Sequence, residues 1–148
     1  MSRANDKARG DVRYGARAGG SFSSGASKIS RALIVHPFSP DVVRETVAGV
    51  CKGAYTLGSL VDGVYTVGYV GRSDRCVRER LVAHELLGEF DAFTVRYADD
   101  APNAFVLECA FWHELHDAGL PMLNRVHPAT PRHSGLTCPY CAFARDVE

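Results

Sequence analysis

The sequence predicts an α+β fold, a small three-stranded antiparallel sheet flanked by helices. Two observations carry this prediction. Asp62-Gly63 lies between two apolar runs and marks a hairpin turn. Phe93, Val95 and Tyr97 alternate with Thr94, Arg96 and Ala98, the period of a half-buried strand. Three helical stretches surround these strands. The order helix, strand, strand, helix, strand, helix suits a small sheet covered by helices.

Residues 1–30 are rich in Gly, Ser, Ala and Arg without an apolar period, and read as a disordered basic tail. The folded part begins at residues 31–35 and extends to residue 148 as a single domain. Ser39 can cap a first helix with Pro40 at its first position and Asp41 beside it. Val42, Val43, Val47 and Val50 give that helix an apolar stripe, and Gly53 ends it. Two strands follow, each carrying a tyrosine that matters below, Tyr55 and Tyr69. A three-residue loop of Val61, Asp62 and Gly63 pairs Leu60 with Val64 and sets Tyr55 opposite Tyr69 on one face. A two-residue loop puts the tyrosines on opposite faces. The first register is preferred because it permits a paired-tyrosine site.

The next helix is capped by Asp74, continues through Val77, Leu81 and Ala83 to Leu87, and stops at Gly88. Arg80 and His84, four apart, share one of its faces. After the third strand, Asp99-Asp100 and Pro102 open a last helix running to about Asp117. Its neighbours Glu108 and Cys109 point about 100° apart. Glu108 shares its side with Trp112 and Leu115, and Cys109 shares its side with His113 and His116.

Composition narrows the functional classes. The 148 residues carry equal numbers of acidic and basic side chains, but residues 1–35 hold seven Lys or Arg against two Asp. A basic tail on an acidic body suits contact with phosphates, and equally a solubilising tail. No apolar run approaches the roughly 20 residues of a membrane helix. The start of the chain lacks the apolar core of a secretory signal, which points to the cytoplasm. Five cysteines, an odd number, argue against a disulfide framework.

The pair Cys138 and Cys141 is half of a tetrahedral zinc site. Cys109 and His113, i and i+4 on one helical face, supply the other half, giving a structural site of Cys109, His113, Cys138 and Cys141. His116, His127 and His133 are competing ligands, and a reduced thiol pair is the alternative.

Gly53-Ala54-Tyr55, then Tyr69-Val70-Gly71-Arg72-Ser73, then Arg80-Leu81 with His84, resembles the signature of the GIY-YIG endonucleases. Glu108 in a helical stretch and Asn124 further on match the family's later glutamate and asparagine. The resemblance covers residues 53–125, with alanine in place of the central isoleucine of the first tripeptide. It implies a three-stranded sheet flanked by helices and metal-dependent hydrolysis of DNA phosphodiester bonds. Glu108 would hold Mg²⁺ or Mn²⁺, Arg80 would contact the phosphate, and Tyr55 would act as general base or pass a proton to a neighbour. Tyr69 and His84 would orient water or phosphate, and Asn124 would brace the site. Arg72, Arg75 and Arg78 would reach the phosphate backbone or form a solvated face. Some short members look similar at the other end too, with a Cys beside the glutamate, a His-Pro (here His127-Pro128) and a terminal Cys-x-x-Cys. Target recognition would come from a partner protein. A catalytically silent nucleic-acid or protein-binding module fits the same residues.

Overall fold

The computed structural model describes residues 13–14 and 33–141. Eight elements follow in order: β1 (Arg13–Tyr14), β2 (His36–Pro37), α1 (Pro40–Thr46), β3 (Lys52–Val61), β4 (Val64–Ser73), α2 (Val77–Val82), β5 (Ala92–Ala98) and α3 (Ala101–His116). The fold is α+β as expected, but the sheet has five strands in the order β1-β4-β3-β5-β2. The three predicted strands are its antiparallel centre. Two-residue strands extend it: β2 antiparallel to β5, and β1 parallel to β4. Two residues carry no period, so neither edge is visible in the sequence. The tail reading of residues 1–30 lies outside the described residues, apart from Arg13–Tyr14. Among the described residues no helix is long and apolar enough to cross a membrane.

Both faces of the sheet are covered. Ala54, Tyr65, Val67, Val70 and Ala92 pack with Phe111, Trp112 and Leu115 of α3. On the other face Tyr55, Leu57 and Phe93 pack with Val43 of α1 and with Val77 and Leu81 of α2. Arg72 pairs with Ala54 across the hairpin, and thus belongs to the α3 face.

The helices keep their predicted starts better than their ends. Ser39 accepts from the Val42 amide and caps α1. That helix stops at Thr46, earlier than expected, and leaves Val50 89% exposed. Gly53 belongs to β3 instead of ending the helix, and a Cβ there would overlap the Arg96 carbonyl. Asp100 caps α3 by accepting from the Asn103 amide at 2.8 Å. α2 begins at Cys76 without a side-chain cap and ends at Val82, so His84 is not on it. Asp74, expected as its cap, binds the Arg72 guanidinium instead.

The hairpin corrects the expected register. Asp62 and Gly63 both have positive φ, 51° and 76°, and Val61 pairs with Val64, which is a two-residue turn. That loop alone would divide the tyrosines between faces. A bulge restores them to one. Leu57 pairs with Tyr69 and Gly58 with Val67, so Gly68 is the extra residue. Beyond it Tyr55 lies opposite Gly71, diagonal to Tyr69 on the α2 face. The Phe90 ring occupies the place of a Gly68 side chain, and the Gly68 carbonyl accepts from the Leu123 amide at 2.8 Å.

Candidate functional site

Tyr55 and Tyr69 stack with ring centroids 6.3 Å apart. The His84 ring stands edge-on to both, at 5.6 Å and 5.2 Å. Its Nε2 is 2.9 Å from the Tyr55 hydroxyl. The Leu86 amide donates to His84 Nδ1 at 3.1 Å, so Nδ1 is an acceptor and the neutral ring carries its proton on Nε2. His84 therefore donates to the Tyr55 oxygen. Arg80, on the exposed side of α2, lies close enough to the Tyr55 and Tyr69 phenols to act on both electrostatically. The Tyr55 oxygen thus faces one nitrogen donor and one cation. Its ring lies across Gly71, where any Cβ would overlap the phenol.

Burial raises the Tyr55 phenol well above the ordinary tyrosine range, and Arg80 offsets part of that. Burial, followed by the charge of Arg80, holds His84 below its usual value. At neutral pH the pair is a neutral phenol and a neutral imidazole.

Glu108 enters from the opposite face of the sheet. It is 8% exposed, and its Oε2 accepts from Arg72 at 2.6 Å. The same Arg72 nitrogen donates to the Ala129 carbonyl at 2.7 Å, and its Nε donates to Asp74 at 2.9 Å. The guanidinium also lies 5.3 Å from the Phe105 ring centre. Burial lifts the Glu108 carboxyl above the ordinary glutamate range, with Arg72 opposing. Glu108 acts on Tyr55 and Arg80 through its charge, while its hydrogen bond goes to Arg72. Tyr55, Tyr69 and Arg80 come from the α2 side of the sheet and Glu108 from α3 on the other, and Glu108 still lies close enough to act on Tyr55 and Arg80 through its charge.

Asn124 braces the strand between them. Its Oδ1 accepts from the Val70 amide at 3.2 Å, and its Nδ2 donates to the Val70 carbonyl at 2.6 Å. Arg72, expected at a phosphate backbone, is instead a buried partner of Glu108. Its position two residues before Asp74 is the one sequence signal for that. Arg75 is exposed and Arg78 half-buried.

A second cluster lies beyond α3. The ligand atoms of His113, His127, Cys138 and Cys141 all fall within 4.8 Å of one another. Cys141 Sγ is 3.3 Å from Nε2 of both histidines. Tetrahedral zinc, with Zn–S of about 2.3 Å and Zn–N of about 2.0 Å, sets its ligand atoms roughly 3.5 Å apart, so these groups fit it. The other ring nitrogens are also satisfied. His113 Nδ1 is 3.1 Å from Asp117, and His127 Nδ1 is 2.9 Å from the Pro128 carbonyl. These outer partners place the protons on Nδ1 and leave both Nε2 atoms free to ligate. The cluster can hold a metal ion such as zinc.

Cys109, expected as a ligand, is outside this group of four and His127 takes its place. The helical spacing from His113 is correct, but Cys109 is fully buried against Phe105 and Cys138. Burial, and then the hydrogen bond with Cys138, raise its thiol well above the ordinary range. The competitors His116 and His133 are exposed and do not join the cluster. Among the described residues this is the one convergent group of three or more His, Cys, Asp or Glu.

Comparison with protein-family models, curated proteins and solved structures gives no match for this chain. The class defined by fold and site is thus an α+β domain with a buried Tyr55–His84 pair beside the exposed Arg80, and a separate His₂Cys₂ cluster that can hold a metal ion.

Proposed function

We propose that the protein is a metal-dependent endonuclease that hydrolyses DNA phosphodiester bonds, as the resemblance to the GIY-YIG family implies. One observation carries the reading: the Tyr55 oxygen receives His84 Nε2–H and faces Arg80, with Tyr69 stacked alongside. A donor and a cation beside a phenol oxygen stabilise the phenolate once its proton leaves. Tyr55 first loses its proton to solvent, since His84 Nε2 already carries one. The phenolate then takes a proton from the attacking water, the leaving oxygen takes one from solvent, and His84 and Arg80 hold the phenolate charge. Arg80, on the exposed side of α2, also reaches the non-bridging oxygens. Tyr69 orients water or phosphate, and Asn124 keeps its strand in place. Mg²⁺ or Mn²⁺ at Glu108 would neutralise charge on the phosphate. Zinc at His113, His127, Cys138 and Cys141 would be structural, since four protein ligands leave no open position. A partner protein would supply target recognition.

The test is Mg²⁺-dependent nicking of plasmid and cleavage of duplex, branched and single-stranded DNA. Glu108→Ala should lose about 10²-fold or more. Tyr55 and Glu108 both resist deprotonation and both act deprotonated, so cleavage should rise with pH and fall on acidification. Nicking unchanged in Glu108→Ala would assign the activity to a contaminant.

A second reading is a catalytically silent nucleic-acid-binding module. It is favoured by the capture of Glu108 by Arg72 on the face away from the tyrosines. DNA binding without cleavage under every metal would support it.

A further inference from the structure

Residues 123–129 run along the outer edge of β4 without secondary structure of their own. β1 covers that edge at Val64 and Tyr65, and this strap covers it from Gly68 to Val70 and reaches the Arg72 guanidinium. The Leu123 amide donates to the Gly68 carbonyl at the bulge. Asn124 clamps both backbone groups of Val70, and its own carbonyl accepts from Trp112 Nε1 at 3.1 Å. The Ala129 carbonyl accepts from the Arg72 nitrogen that also binds Glu108. Between these anchors stands His127, inside the metal cluster.

Pro128 is the one buried residue of the strap, while Leu123 is 62% exposed and Val126 82% exposed. A segment with so little buried apolar surface opens easily unless its polar anchors hold. The strongest available anchor is a metal–imidazole bond at His127.

We infer that metal binding at His113, His127, Cys138 and Cys141 fixes the 123–129 strap on β4, and thereby positions Arg72, Glu108 and the strand bearing Tyr69. The metal centre and the tyrosine cluster are two ends of one coupled element. Asn124, His127 and the Ala129 carbonyl are its positioning groups. The catalytic consequence rests on the nuclease reading, while the coupling itself does not.

Hydrogen exchange tests the coupling without any substrate. In the zinc-loaded full chain the Leu123 and Val70 amides should be protected. Extracting zinc with a chelator, or substituting His127→Ala, should speed their exchange at least about tenfold and leave the β3–β5 ladder unchanged. Asn124→Ala should bind zinc with unaltered stoichiometry, yet lose Val70 protection whether or not zinc is bound. Confirmed zinc loss with no change at Leu123 and Val70 overturns the inference, and so does a chain that takes up no zinc. Exchange that follows zinc in a protein inactive on every DNA substrate would reject the nuclease reading and keep the coupling.

Discussion

Arg72→Met is expected to lower folding stability by about 3 kcal/mol or more, since removing one partner of a buried ion pair leaves the other charge uncompensated. The Arg72 guanidinium serves two carboxylates and a carbonyl at once, and both it and Glu108 are largely buried. Methionine keeps an apolar stem beside Phe105, so the loss isolates the charge rather than the packing. Glu108 can relieve part of the cost by taking a proton, the direction in which its burial already pushes it. For a domain of this size the melting temperature should fall on the order of 10 °C. Adding Glu108→Gln should recover much of it, because the orphaned carboxylate is then gone. Thermal unfolding of the two variants checks this; an unchanged melting temperature in Arg72→Met would show that the pair adds nothing.

Removing the metal is expected to have a comparable effect. The four ligand residues come from α3, from the strap and from residues 138–141, so an ion held there would tie three separate segments together. Zinc at a thousandfold excess over its dissociation constant would contribute about 4 kcal/mol by mass action. Chelation, or Cys138→Ser with Cys141→Ser, should lower the melting temperature and take zinc content from one per chain to none. Natively purified protein with no zinc, indifferent to chelator, would remove the metal from the account.

Much of this was legible in the chain. The Asp62-Gly63 turn, the Phe93–Tyr97 alternation and the caps Ser39 and Asp100 are local signals, and each is where local physics puts it. The bulge at Gly68 was not legible, since Phe90 and Leu123, both distant in sequence, accompany it. It alone brings the tyrosines to one face despite a two-residue loop. The spacing from Arg80 puts His84 on a helix, but its ring instead packs against Tyr55, Tyr69 and Phe38 from beyond the end of α2. Helical spacing found His113 and wrongly added Cys109, because spacing carries no information on depth. His127 reaches the cluster along the strap, a path set by contacts to β4.

The tyrosine cluster as a hydrolytic centre is tested most directly by cleavage of a labelled DNA duplex with Mg²⁺ or Mn²⁺. Wild-type, Tyr55→Phe and Arg80→Ala proteins should be compared at matched folding and zinc content. Wild type should cut, and each variant should lose about 10²-fold or more in single-turnover rate while keeping its fold. Equal rates in all three, or a wild type that binds DNA and never cuts it, would contradict the assignment.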